Sequence, residues 1–195
     1  MPDASNQQME QADTLQLISR SRAGDSIAVE ELVARYSSLV YRLALSMLDD
    51  RTEADEATQD AFITAVARLD SYRGEAAFTT WLYAIALNVC RGRLRKRRTK
   101  ERLMGALQAL LGPTTDEAAH PEQVVIQNEA EAALWRAVKS LNDKQREVVI
   151  LRYYHDLRLN EIAQTIGVSE RTVRAWLHSA HEKMRTSLKD EVGTR

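Results

Sequence analysis

The chain is poor in the residues that punctuate turns. Seven glycines and three prolines occur among 195 residues, about 5 % against a usual ~12 %. That argues against an all-β fold, which needs many such turns, and against a long disordered chain. Cysteine occurs once, at Cys90. A disulfide framework within one chain and a cysteine-based zinc site are thereby excluded. No run approaches the ~20 apolar residues of a membrane span. Met1 to Asp13 is polar and lacks the apolar core of a signal peptide. The chain is therefore expected to be cytoplasmic, with no membrane insertion. Neither sign of charge prevails, with 27 Lys+Arg against 28 Asp+Glu.

What is present is helix-forming. Hydrophobic residues make up 44 %, enough for one or two compact cores, and Ala, Leu, Arg and Glu dominate. The fold expected is all-α. The even charge is sorted along the chain. Asp49 to Asp60 holds six acids and one base, whereas Arg91 to Arg102 holds eight bases and one acid. A basic block of that density points to a polyanion, although cations also favour a helix C-terminus.

Periodicity and breakers divide the chain into two small helical domains on a flexible linker. Residues 1–13 read as a disordered tail. A first domain spans 14–100. Asp25 caps a helix to about Leu48, and Thr52 with Asp55 forms a capping box opening a helix to about Leu69. After the turn Asp70 to Gly74, a third helix runs from about Ala76 to Arg98. The linker spans 101–128 and contains Gly112-Pro113 and His120-Pro121, with a short helix at Leu103 to Leu111. A second domain spans 129–190. There Leu134, Val138 and Leu141 form one stripe, and Asp143 caps the following helix.

The sharpest local signal is Leu159 to Val173. Ala163 is small, where a crossing helix must approach. Gly167 can take the positive φ of a tight interhelical turn. Ser169 is a good N-cap. This is helix-turn-helix spacing, which places the second helix in a DNA major groove. In helical projection Val173, Leu177, Ala180, Met184 and Leu188 share one face. Arg171, Arg174, His178 and Arg185 share the opposite one. Arg171 and Arg174 lie near the helix N-terminus, where base edges are read, and Ser169 and Thr172 can bond a base or phosphate. Arg185 and Lys183 lie further along, in reach of phosphates.

The helix after Gly74 is apolar on two faces, with a narrow seam of Ala84, Asn88, Arg91 and Arg95 between them. Such a seam either satisfies local groups or meets nucleic acid. Tyr72, Phe78, Trp81 and Tyr83 lie nearby. Most aromatics at helical spacing are core, so one or two of the four are expected to reach a base, a contact worth ~1–3 kcal/mol per base. His178 and His181 have metal-binding spacing but no third ligand, and His120 and His155 are expected at the surface. No paired catalytic carboxylates, phosphate-binding glycine loop or metal cluster is evident, so neither an enzyme nor a metal or cofactor site is expected.

Asp55 to Phe62, then Tyr72-Arg-Gly, then Phe78-Thr-Thr-Trp-Leu-Tyr83, resemble the second conserved domain of bacterial sigma factors. Leu141 to Tyr153, with the helix-turn-helix and Leu177-His178, resembles their fourth domain. Having these two alone, the chain is similar to the extracytoplasmic-function (ECF) group. The resemblance implies binding to core RNA polymerase and promoter DNA, with help in melting the −10 region. By position, Glu56, Gln59 and Asp60 would dock on the β′ clamp helices. Tyr72, Arg73, Phe78, Trp81, Asn88, Arg91 and Arg95 would meet the −10 element, with one base flipped into the loop before the Thr-Trp motif. Ser169, Arg171, Thr172, Arg174, His178 and Arg185 would meet the −35 element. The β flap and an anti-sigma factor are further partners implied. Ala84, Trp176, Ser179 and His181 stand where relatives often carry basic residues. The alternative is a two-domain helix-turn-helix regulator that binds duplex DNA alone.

Overall fold

In the computed structural model, which describes residues 4–111 and 129–193, every regular element among the described residues is helical. The N-terminal half contains α1 (Ala4–Arg22), α2 (Ser26–Leu48), α3 (Arg51–Ala67), a 3-10 turn at Leu69–Ser71, and α4 (Phe78–Leu111). The C-terminal half contains α5 (Glu129–Lys139), α6 (Asp143–Val149), a π-helical turn at Ile150–Tyr154, α7 (Leu159–Ile166) and α8 (Glu170–Gly193).

Short polar residues set the boundaries. Asp25 caps α2, its carboxylate accepting from the Ile27 and Ala28 N–H groups while Arg20 grips it at 2.7 Å. The next cap differs from expectation. Asp49 takes the left-handed conformation at φ 57°, and Asp50, not Thr52, caps α3 by accepting from the Glu53 N–H at 2.7 Å. Two consecutive aspartates compress the connection, so Thr52 is already inside the helix. Likewise Asn142, not Asp143, caps α6 in a reciprocal capping box with Gln145.

Two helices are longer than expected. α1 begins at Ala4, inside the 1–13 stretch expected to be disordered. It is anchored where Leu17 and Ile18 are buried and the Thr14 hydroxyl meets the Tyr36 hydroxyl at 2.8 Å. α4 does not stop at Arg98. The segment expected as a separate helix at Leu103 to Leu111 continues it into one 34-residue element. No proline lies between Arg98 and Leu111, Gly105 weakens the helix there without ending it, and Thr99 turns its hydroxyl back onto the Arg95 carbonyl. The remaining linker residues, with His120, lie outside the described residues.

Buried apolar side chains of both halves form one cluster. In the N-terminal half α2 lies between α1, α3 and α4. Val40, Leu43, Met47 and Leu48 fill the centre with Leu82 and Leu87 of α4. Small residues of α3, Ala54, Ala57 and Ala61, allow close approach. In the C-terminal half α8 packs on α5, α6 and α7. Val138 and Leu141 are buried as expected, but Leu134 of the same stripe is 47 % exposed. The halves meet where α4 packs on α7. No helix among the described residues is long and apolar enough to cross a membrane.

Candidate nucleic-acid interface

The turn between α7 and α8 has the expected geometry. Gly167 sits at φ 73°, and the Gly167 and Val168 N–H groups both bond the Ala163 carbonyl at 2.9 and 3.0 Å. The Ser169 hydroxyl accepts from the Thr172 N–H at 3.2 Å and meets the Thr172 hydroxyl at 2.9 Å. Val173, Leu177 and Ala180 are buried. Arg171, Arg174, His178 and Arg185 are exposed on the outer side. Arg174 touches Glu170 at 3.0 Å and Arg185 touches Glu182 at 2.6 Å. Both are loose surface pairs that a phosphate can displace. Arg171 has no ion pair among the described residues.

Lys183 is exposed but already engaged. Its ammonium donates to the Ser140 carbonyl at 2.6 Å and ties α8 to the end of α5. Trp176, Ser179 and His181, three of the four positions noted above as departing from the family pattern, make contacts within the domain. The Lys144 ammonium lies 5.2 Å from the Trp176 ring, the Gln145 amide donates to the Ser179 hydroxyl at 2.8 Å, and His181 meets the Tyr153 hydroxyl at 2.9 Å.

In the N-terminal half most of the aromatic set is core. Tyr72, Phe78 and Tyr83 are buried, and only Trp81 reaches the surface, half-buried. Tyr72, Phe78 and Trp81 form one ring cluster with centroids 5.4–5.6 Å apart. Tyr72 and Phe78 are therefore not presented to a base; they shape the wall behind Trp81. The loop ahead of it is pinned from below, where the Arg22 guanidinium bonds the Leu69 and Tyr72 carbonyls and the Tyr72 hydroxyl donates to Ala76 O at 2.8 Å. Arg73 and Gly74 stand exposed at its tip, Gly74 at φ 75°.

The basic block of α4 is largely turned to protein. Arg91 Nε and Nη2 bond the two carboxylate oxygens of Glu147 at 2.7 and 2.6 Å, while its Nη1 donates to Asn88 Oδ1 at 3.1 Å. Arg93 bridges Glu56 and Asp60 at 2.7 and 2.5 Å. Arg98 is bidentate to Asp143 at 2.5–2.6 Å, and Arg97 bonds the Leu48 carbonyl at 3.2 Å. Arg95, Lys96, Lys100 and Arg102 are left exposed. The block thus divides between internal acids and solvent, whereas its sequence pointed to a polyanion as a whole.

On α3, Glu56, Gln59 and Asp60 are exposed. Beyond them Ile63 is 69 % and Val66 43 % exposed, so an apolar strip continues the acidic one. Sequence reading missed that strip and Glu147, and it gave Asp143 a capping role in place of its pairing with Arg98. It also placed His155 at the surface. His155 is largely enclosed against Tyr83, Nδ1 lying 3.0 Å from the Tyr83 hydroxyl, and burial pushes its pKa down to about 4. Burial pushes the Cys90 thiol up to about 12 and keeps it unreactive. Among the described residues no group of three His, Cys, Asp or Glu side chains can hold a metal ion.

Comparison with known proteins agrees with this geometry. Residues 32–100 match the Sigma-70 region 2 family and residues 131–184 the Sigma-70, region 4 family. The ECF RNA polymerase sigma factor SigW of Bacillus subtilis is 31 % identical over 178 residues, covering 89 % of this chain and 95 % of that protein. The ECF RNA polymerase sigma-E factor of Escherichia coli K12 is 33 % identical over 171 residues, covering 85 % and 89 %. The structure of CnrH in complex with the cytosolic domain of CnrY superposes with a TM-score of 0.66 at 25 % identity, covering 92 % of this chain and 98 % of that one.

Proposed function

This chain belongs to the ECF group of RNA polymerase sigma factors, and we propose from that membership how its residues share the work of initiation. It is an alternative sigma factor that directs RNA polymerase to promoters. The observation supporting the residue assignments is the pair of exposed cationic surfaces, one on each conserved region, in the family's order.

Region 4 reads the −35 duplex with α8. Arg171 and Arg174 approach base edges, Ser169, Thr172 and His178 flank them, and Arg185 meets the backbone. Region 2 engages the −10 strand. Trp81 offers a half-exposed ring for stacking, Arg73 and the exposed loop flank the flipped base, and Asn88, Arg91 and Arg95 track the strand along α4. Tyr72 and Phe78 act by holding Trp81. Glu56, Gln59 and Asp60 dock on the β′ clamp helices, and Ile63 with Val66 extend that surface. Region 4 also meets the β flap. The protein works in the cytoplasm by recruitment and strand separation, with no covalent step. CnrH is described in complex with the cytosolic domain of CnrY, so a protein partner that binds the factor is precedented among similar structures, and an anti-sigma factor is proposed as such a partner here.

The test is run-off transcription with purified core polymerase on a genomic promoter library, with and without this protein. Discrete start sites that appear only with the protein are expected. No initiation, together with duplex binding by the protein alone, would overturn the assignment in favour of a helix-turn-helix regulator.

A further inference from the structure

The seam between α4 and α6 carries more positive charge than its acids can offset. Arg91 is held by Glu147 and Arg98 by Asp143, each through two bonds, so both carboxylates are taken. A further pair, Lys139 to Asp49 at 2.5 Å, joins α5 to the end of α2. Arg95 of α4 and Lys144 of α6 are left without a carboxylate partner among the described residues. Behind them Arg146, its side chain 14 % exposed, stands 3.9 Å from the Asp143 carboxylate, and its Nε has no partner. Burial lowers its pKa, and Arg98 and Arg97 nearby lower it further. Like charges gathered at a half-buried seam repel strongly unless an anion offsets them.

The surplus borders a cavity of about 360 Å³, within the range of small-molecule sites, which starts at about 300 Å³. Its lining is of two kinds. Arg91, Arg95, Arg98 and Lys144 supply donors beside the two acids, and Leu94, Ile166, Val168 and Trp176 supply apolar surface. Trp176 is half-buried, and the Lys144 ammonium lies 5.2 Å from its ring centroid. A cation and an aromatic ring therefore stand together at the lining. A ligand that matches needs an end with at least two negative charges and a flat apolar end. A sugar phosphate lacks the second, and a fatty acid carries one charge. A nucleotide with two or more phosphates has both.

We propose that this cavity is a binding site for such a nucleotide, with its phosphates on Arg95 and Lys144 and its base against Trp176. Each contact to a phosphate oxygen is charge-assisted, and the base displaces water from the apolar lining. The ligand touches α4 in region 2 and both α6 and α8 in region 4. Arg95 is also assigned above to the −10 strand, so nucleotide and strand compete for it.

The experiment is isothermal titration calorimetry of the full chain, without DNA, against ADP, GDP and inorganic pyrophosphate. Saturable one-to-one binding of ADP or GDP is expected. Pyrophosphate should bind at least about tenfold more weakly, because it leaves the apolar lining uncovered. Lys144 is exposed and makes no bond that the fold needs. Lys144→Ala is expected to weaken nucleotide binding about tenfold, the loss of one charge-assisted contact. Trp176→Leu is expected to bring nucleotide affinity down to that of pyrophosphate. Lys100→Ala removes an exposed cation of α4 that does not line the cavity, and should leave binding unchanged. Circular dichroism confirms that each variant keeps its helix content. No saturable binding of either nucleotide at 1 mM would overturn the site, as would unchanged affinity in Lys144→Ala. Pyrophosphate binding as tightly as the nucleotides would overturn it in favour of an inorganic-anion site. Equal losses in Lys100→Ala and Lys144→Ala would overturn it in favour of general charge attraction. The calorimetry stands whether or not Arg95 meets the −10 strand, and the transcription assay tests the sigma-factor reading separately.

Discussion

Arg174 shows how a side chain's stability role and its recognition role come apart. Its partner Glu170 is one turn away on the same exposed surface, so the pair contributes at most a few tenths of a kcal/mol. Arg174→Ala is therefore expected to leave the melting temperature and core-polymerase affinity unchanged. It should cost ~1–3 kcal/mol of discrimination at one −35 base pair, read by holoenzyme binding to point-mutated promoters. Gln59→Ala with Asp60→Ala is expected to do the reverse: weaker core binding in a pull-down titration, unchanged affinity for −35 duplex. His155 carries a third expectation. Its pKa falls from an ordinary 6.5 to about 4 in the folded chain. Above pH 6.5 neither state binds the proton. Between pH 6.5 and about 4 only the unfolded chain does, so stability drops with falling pH by up to about 1.4 kcal/mol per unit. The Asp143 carboxyl, held low by Arg98, titrates below this window and does not offset the loss. Urea midpoints at pH 7 and 5 should show the drop, and His155→Gln should flatten it.

Elements were legible in the sequence where the rule that makes them is local. The α7–α8 turn is the clearest case, because Gly167, Val168 and Ser169 each act on neighbours within five residues. Gly167→Ala meets no atom within 4 Å, so its cost is backbone strain alone, about 1–2 kcal/mol. A matching drop in denaturant midpoint, smaller for Gly167→Asn, would establish that. Boundaries set by competition between nearby candidates were harder. Asp50 displaced Thr52 as the cap of α3, and Asn142 displaced Asp143, because an extended residue two positions earlier in one case and one in the other starts the helix sooner and caps its first free N–H groups. Asp143 was then released for Arg98. The long α4 was misread because a dense basic run looks like a helix end, where cations are favoured. Here Arg93, Arg97 and Arg98 instead stabilise the middle of the helix through groups on α2, α3 and α6.

Across the whole molecule, periodicity shows which face of a helix is buried and not which distant element covers it. Arg91 and Glu147 are 56 residues apart and Tyr83 and His155 are 72 apart. Neither partner carries a local mark, which is why the seam on α4 was readable and its occupant was not. The same contacts bear on cooperativity. The two regions share one apolar cluster, with Leu94 of α4 and both Ile166 and Val168 around the cavity between them. Each region also has its own buried centre, around Leu43 and Leu82 in one and around Ile162 and Val173 in the other. Domains coupled through a partly open, charged seam unfold together only while that seam holds. Calorimetry of the full chain at pH 7.5 and low salt should therefore give a single transition. Salt near 0.5 M, where the Debye length falls to about 4–5 Å, weakens the exposed Lys139–Asp49 and Arg98–Asp143 pairs more than the buried Arg91–Glu147 pair. High salt alone should thus broaden the transition, and high salt with Glu147→Gln should split it in two, region 4 melting first because its core is the smaller. A single sharp transition under that last condition would mean that apolar contact between α4 and α7, and not the ion pairs, holds the halves together.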